Sequence, residues 1–422
     1  MQRNCIHTGD CFDVLGEMDS ESVHAVVTDP PYGLAFMGRD WDDFEPREYQ
    51  QWCEDWARAV KRVLKPGGHL LAFSGNRTHH RAFAGIEDAG FEIRDTLTWH
   101  YGSGFPKASD IGKTIDKRAD AEREVVGEKT TPDGKPYSDR KKQFQTEGSN
   151  EGYKRPSDDD PRNELTAPAT DAAKKWDGWK TGLKPATEYI VMARKPFDGA
   201  AVDCVLEHGT GALNIEGCRV GDETHEVSDT SYRTASTGEF SNQGIEPDEN
   251  GKRLEDGRYP SNVVFDETAA ERLDQNNPHR SDTNREIGGG SERNQDGWGM
   301  EDTSTQAYDD SGGPSRYFYT SKASKSERTN GGEIANSHPT VKPTDLMEWL
   351  VRLVTREGQV VLDPFVGSGT TCMAAKELGR QFVGIEKQAQ WADVARARCG
   401  LAPEDPATVR ERDDQTGLEA YQ

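Results

Sequence analysis

Two short stretches carry residue types that could do chemistry. In VVTDPPYGLAF (26–36) a β-branched run ends in Asp29 and is followed by Pro30, Pro31 and Tyr32. Two prolines make a stiff turn. A carboxylate and a proline carbonyl at its edge can accept both N–H groups of an exocyclic amine, and a tyrosine offers a flat face for stacking. Accepting those hydrogens favours a tetrahedral nitrogen whose lone pair can attack a methyl sulfonium in line. Taken alone, the stretch reads equally well as a loop punctuated by prolines.

The second stretch, DPFVGSGT (363–370), follows an apolar run and precedes a helical one. Gly367 and Gly369 remove side chains at the turn, and the free N–H groups of the next helix can meet an anion. Such turns are also purely structural devices, and this one lacks both the lysine of a phosphate loop and the GxGxxG spacing. The next apolar run ends in Glu386, about twenty residues on, where an acid can accept both hydroxyls of a ribose. Together they describe a site for an adenosine-bearing ligand. Without a phosphate-binding lysine, S-adenosylmethionine fits it better than a nucleotide.

These stretches need elements to hold them. CIHTGD (5–10), HAVVTD (24–29), HLLAFSG (69–75), FEIRDTLTW (91–99), ATEYIVMARK (186–195), QVVLD (359–363) and QFVGIE (381–386) have the length and apolar content of strands. Tyr49, Trp52, Cys53, Trp56, Val60, Val63 and Leu64 recur at helical spacing until KPGG (65–68), and further helices are expected near 77–89, after Thr344 as N-cap, after the turn at 370, and over 388–399. Strands alternating with helices indicate an α/β fold with a mostly parallel sheet. Two long polar intervals are insertions in it. Residues 106–185 hold about 17 basic and 16 acidic side chains, whereas 222–316 hold about 9 and 22. A segment that faces phosphate is therefore the first. The Gly- and Ser-rich stretches of the second (221–244 and 286–313) are expected to be mobile when unbound.

The 422 residues suffice for one large α/β domain with insertions or for two domains. Only 33% are hydrophobic, and 75 acids against 52 bases leave a net charge of -23. Such acidity is unusual for a partner of nucleic acid. Spread over the whole chain, with arginine outnumbering lysine, it suggests a halophilic source in which high salt screens a dense carboxylate surface. Seven scattered cysteines without paired spacing read as free thiols, with no metal site. No signal-peptide core and no uncharged run of membrane-spanning length is present, so a soluble, cytoplasmic protein is expected.

The blocks TDPPYG (28–33), HPTVKP (338–343) and DPFVGSGTT (363–371), in this order, resemble the β-class amino DNA methyltransferases. LKPGGHLLAFSG (64–75), LTWHYGSGFPKA (97–108), LKPATEYIVMARKP (183–196) and VLEHGTGALNIEGCRV (205–220) look like stretches of bacterial and viral members. The resemblance covers roughly 1–108, 183–220 and 338–400. It implies a Rossmann-like, circularly permuted S-adenosylmethionine-dependent methyltransferase fold, mostly parallel with one antiparallel strand. The expected organisation is a catalytic half at 1–105, a candidate target-recognition insertion at 106–185, a return to the core at 186–220, an acidic and partly flexible insertion at 221–337, a cofactor-binding half at 338–400 and an acidic tail at 401–422.

Carried over position by position, the resemblance makes Asp29, Pro30, Pro31 and Tyr32 the catalytic tetrapeptide. Asp363, Pro364, Phe365, Gly367, Ser368, Gly369 and Thr370 become the cofactor loop, and Glu386 the ribose acid. Asp10 resembles the acid near the cofactor adenine. His338, Thr340 and Lys342 of HPTVKP would close the methionine side of the pocket. The implied reaction is site-specific methylation of adenine N6 in double-stranded DNA. DPPY favours adenine over cytosine N4, whose enzymes more often have serine in place of the acid.

The target base would have to leave the helix to reach a protein pocket. Side chains in the major groove would read the sequence; the candidates are Lys107, Lys113, Lys117, Arg118, Arg140, Lys141, Lys142, Arg155, Lys174 and Lys175. RNA or protein substrates, and a catalytically silent DNA-binding partner with the same fold, are the alternatives. The length leaves no room for a nuclease domain, and a homodimer stays open.

Overall fold

The structure, a computed structural model, describes residues 2–34, 42, 44–102, 104, 108–130, 163–228, 252–277, 313–321, 334, 336, 338 and 340–405. The chain forms two compact units, Met1–Gly102 with Thr187–Gln422, and Ser103–Ala186.

The larger unit begins with β1 (Cys5–Thr8), α1 (Cys11–Glu17), β2 (Val23–Thr28), α2 (Pro46–Val63), β3 (Leu64–Ser74), α3 (His79–Asp88) and β4 (Glu92–His100). The smaller unit contributes α4 (Ile111–Arg118), β5 (Val125–Glu128), β6 (Glu164–Thr166) and α5 (Asp171–Lys175). The chain then adds β7 (Thr187–Arg194), α6 (Ala201–His208), β8 (Val220–Ser228), β9 (Lys252–Arg258), β10 (Val263–Asp266), α7 (Glu267–Asn276) and β11 (Tyr319–Ser321) to the larger unit. It finishes with α8 (Thr344–Val354), β12 (Val360–Asp363), α9 (Thr370–Glu377), β13 (Gln381–Glu386) and α10 (Ala389–Arg398).

Nine strands form one sheet in the order β1-β13-β12-β2-β3-β7-β4-β10-β11. Every pairing is parallel except those of β7, which runs antiparallel to both β3 and β4. This is the mostly parallel sheet with one antiparallel strand that the resemblance implies. The late strands β12 and β13 lie between the early strands β1 and β2, so the end of the chain completes the sheet begun at its start.

The apolar runs are explained by burial on both faces. Ala25, Val27, Leu71, Phe73 and Val361 point into a core with α8, α9 and α10, while Val26, Leu70, Ala72, Val360 and Leu362 point into another with α1, α2 and α3. A strand covered on both sides needs no polar face.

Three boundaries differ from the sequence reading. KPGG (65–68) does not separate helix from strand: α2 passes directly into β3, and the glycines form an irregularity in the β2–β3 register. Gly67 has φ +72, and a Cβ there would meet the Cys204 thiol at 2.3 Å. Thr344 is the first residue of α8, with Pro343 at the cap position. The acidic interval also supplies two short strands, β10 and β11, which extend the sheet beyond β4. Three or four residues in a polar setting are too few for a periodicity signal. Most of the Gly- and Ser-rich stretches expected to be mobile (229–244 and 286–312) lies outside the described residues.

All seven cysteines are free thiols. Among the described residues, no helix is long and apolar enough to cross a membrane, and no cluster of His, Cys, Asp or Glu could hold a metal ion.

Candidate active site

Parallel strands present their carboxyl ends on one edge of the sheet, where open α/β folds bind ligands. There β2 delivers Asp29, β12 delivers Asp363 and the glycine turn, β13 delivers Glu386, and β1 leads to Asp10. The two motifs are neighbours in space. Leu362 pairs with Val26 in the ladder, and the Thr28 hydroxyl donates to Asp363 Oδ1 at 2.6 Å across 335 residues of sequence.

The DPPY turn is held from behind by residues that the sequence reading did not single out for the site. Asp42, almost fully buried, accepts from the backbone N–H of Gly33 at 2.6 Å and of Leu34 at 3.1 Å. The Tyr49 hydroxyl donates to the Pro31 carbonyl at 2.9 Å. Gly33 has φ +64, and a Cβ there would lie 2.7 Å from the Tyr49 ring, so the turn packs as closely as glycine permits. Tyr49 shows in the sequence only as one of the apolar positions of a helix. Its polar tip is what ties α2 to the turn.

In front of the turn lies a shielded cluster of charges. The Tyr32 hydroxyl is 2.8 Å from Asp29 Oδ1 and 2.9 Å from Glu188 Oε2. Lys342 donates to Asp29 Oδ2 at 2.7 Å, lies 3.2 Å from Glu188 Oε2 and 3.2 Å from the Tyr32 hydroxyl, and sits 4.9 Å from the centre of the Phe73 ring. The two carboxylates hold the Lys342 ammonium protonated against the desolvation that would lower its pKa, and burial together with the same carboxylates pushes the Tyr32 phenol well up. Lys342, expected beside a methionine group, thus reaches Asp29 and Tyr32 of the DPPY turn. Glu188 went unremarked within TEYIVMAR, because a single acid at the start of an apolar strand carries no signal of its own.

The glycine turn is built by different means. Asp363 is buried, accepts from Thr28, from the Thr371 hydroxyl at 2.6 Å and from Phe365 N–H at 3.1 Å, and burial raises its pKa to about 6. It sets the shape of the turn from within. Pro364 is buried at the strand end, and Phe365 packs between Trp52 and Trp56 of α2 at 5.5 and 5.6 Å. Ser368 and Thr370 are buried and receive hydrogen bonds from Arg398 of α10. Gly369, at φ +91, lies so near α10 that a Cβ would meet the Cα of Ala395 at 2.9 Å.

Gly367, at φ +52, turns its N–H to Glu386 Oε2 at 3.0 Å and lies under the His338 ring, which stands edge-on to Trp391 at 4.8 Å. Thr340 reaches this group through its backbone N–H, 3.4 Å from His338 Nδ1. Glu386 also accepts from Gln388 N–H at 2.9 Å, and burial raises its pKa. Backbone N–H groups thus hold the carboxylate in place, and its oxygens keep acceptor capacity. Asp10 follows directly on the β1–β13 ladder; it caps α1 through Phe12 N–H at 3.0 Å and pairs with Lys387 at 3.1 Å.

The family described as N6_N4_Mtase, DNA methylase, matches residues 23–397. The chain belongs to this family. This DNA methylase is 22% identical over 436 residues to the type II methyltransferase M.HindIII of Haemophilus influenzae, covering 94% of this chain and 96% of that one. Over 64 residues, 15% of this chain and 24% of the relative, it is 50% identical to the type II methyltransferase M2.DpnII of Streptococcus pneumoniae. Among solved structures, PvuII DNA methyltransferase (cytosine-N4-specific) aligns with a TM-score of 0.45 at 14% identity, covering 95% of this chain and 87% of that one.

The basic candidates for DNA contact divide. Lys113, Lys117 and Arg118 on α4 and Lys174 and Lys175 on α5 are exposed in the smaller unit, with Lys174 paired to Asp171 at 3.1 Å. That unit is pinned by buried Asp116, which accepts from Ala169 and Thr170 and pairs with Arg123. It also exposes Trp176 and Trp179, set edge to face at 5.1 Å. Lys107, Arg140, Lys141, Lys142 and Arg155 lie outside the described residues.

Proposed function

We propose that this DNA methylase transfers a methyl group from S-adenosylmethionine to the exocyclic N6 of an adenine flipped out of duplex DNA at a specific sequence. The observation that carries this reading is the junction of the two motifs. Asp29 and the glycine turn stand on neighbouring strand ends, joined by the bond from Thr28 to Asp363.

S-adenosylmethionine, when bound, supplies a methyl group on a sulfonium sulfur. The chain's own residues do the rest. The Glu386 carboxylate faces the turn with acceptor capacity for ribose hydroxyls, Gly367 lets the backbone of the turn pass close beneath His338, and Asp10 marks the adenine side at the next strand end. Asp29 and the Pro30 carbonyl accept the two hydrogens of the target amine, which keeps its lone pair free for attack. Tyr32 stacks on the base and offsets part of the cost of flipping, a few kcal/mol. An acid at position 29, where serine would suit cytosine, supports adenine. The exposed bases and tryptophans of the 106–185 insertion suit phosphate contact and stacking, and we assign target recognition to it.

Duplex DNA incubated with the protein and S-adenosylmethionine, digested and analysed by nucleoside mass spectrometry, is expected to contain N6-methyladenine. N4-methylcytosine without methyladenine would overturn the choice of base. No methylated nucleoside, with methyl transfer to RNA or protein instead, would overturn the substrate.

A further inference from the structure

The antiparallel strand has a consequence for the site. Because β7 starts where its parallel neighbours end, its second residue, Glu188, pairs with Trp99 of β4 and lies at the same edge of the sheet as Asp29. The inference below rests on Asp29 as acceptor of the target amine. In that role at least one Asp29 oxygen must turn to an incoming N–H. Both already accept from the protein, Oδ1 from Tyr32 and Oδ2 from Lys342. The same two donors reach Glu188 Oε2 at 2.9 and 3.2 Å.

Lys342 is 9% exposed, Glu188 20% and Asp29 18%. An ammonium so placed cannot be released to water, and one deprived of a charged partner in such a site is strongly destabilising. Two carboxylates around one ammonium solve this, since the ammonium can leave one and keep the other.

We propose that Glu188 is a positioning residue that draws the Lys342 and Tyr32 donors away from Asp29, freeing the catalytic carboxylate for the target amine while the buried ammonium stays paired. Glu188 and Lys342 take no part in bond making. The methyl group passes from sulfur to nitrogen, and the amine's surplus proton leaves towards Asp29.

Glu188→Gln keeps size and shape but removes the charge, so Lys342 remains on Asp29. The expected result is a kcat lower by about tenfold, the cost of one charge-assisted bond, with little change in KM for DNA, which phosphate contacts dominate. The dissociation constant for S-adenosylmethionine, by calorimetry, should stay near that of the wild type and reports the fold. Glu188→Asp retains the charge and should stay within about threefold of wild-type kcat. The double variant Glu188→Gln with Lys342→Met should exceed Glu188→Gln alone, because the ammonium that occupies Asp29 is gone.

A merely structural Glu188 would give a double variant no faster than the single one, and that result overturns the proposal. So does a Glu188→Gln enzyme of wild-type kcat, or a Glu188→Asp enzyme as slow as Glu188→Gln. If Asp29→Asn also retains wild-type kcat, the role of Asp29 falls together with the inference; if Asp29→Asn is inactive, only the inference falls.

Discussion

Asp29 owes its reach to its neighbours. A carboxylate at a strand end is ordinarily solvated. Here Asp42 and Tyr49 fix the backbone of the turn behind it, while Lys342 and Glu188 define the space in front. With the turn held by other residues, truncating Asp29 should remove chemistry and little else. Asp29→Ala is expected to lower kcat by about 10² to 10⁴, the range for a positioned proton-accepting group, with donor affinity within about twofold by calorimetry. A tenfold loss of donor affinity would show that Asp29 supports the cofactor site instead. At this scale the sequence exposes DPPY and the glycine turn because their residue types are unusual together. It hides Asp42, Glu188 and Arg398, whose types are ordinary and whose partners lie 8 to 156 residues away.

Helix α10 and the glycine turn show how an element sets the residues at a site. Gly369 and Gly367 both have positive φ, yet they answer to different neighbours. The first is pressed against the backbone of α10, the second against the side chain of His338. A backbone cannot give way as a ring can. Gly369→Ala should therefore cost about 2 kcal/mol or more through strain and clash, seen as a melting temperature lower by several degrees. Gly367→Ala should cost less, about 1 kcal/mol from backbone strain alone, while weakening donor binding, because His338 must shift over the turn. Equal melting temperatures for Gly369→Ala and the wild type would refute this division.

The strands bearing the site were legible because burial on both faces makes them continuous apolar runs. The extension of the sheet by β10 and β11 was not, because its strands are short and β4, on which β10 pairs, is distant in sequence. Nor could spacing alone show that β7 runs antiparallel, which is what brings Glu188 to the site.

Over the whole molecule, charge poses the remaining problem: a chain of net charge -23 acts on a polyanion. The 106–185 interval is nearly balanced, so the excess negative charge lies elsewhere. Two effects of salt then oppose each other. Self-repulsion among the carboxylates is screened as the Debye length falls from about 10 Å at 0.1 M to about 3 Å at 1 M, so the folded chain should melt at a higher temperature across that range. Contacts between lysine or arginine and phosphate weaken over the same range, with log K falling by about 0.9 per phosphate neutralised. Removing one exposed base that touches phosphate should make that slope shallower by about one. Lys175, exposed on α5 and without the intrahelical partner that Lys174 has, is the position at which to test this. Lys175→Ala is expected to reduce the salt slope of DNA binding, measured by fluorescence anisotropy from 50 to 300 mM KCl, and to leave donor affinity unchanged. An unaltered slope would move the phosphate contacts to other residues. A melting temperature that falls with salt would show that carboxylate repulsion does not limit the stability of the fold.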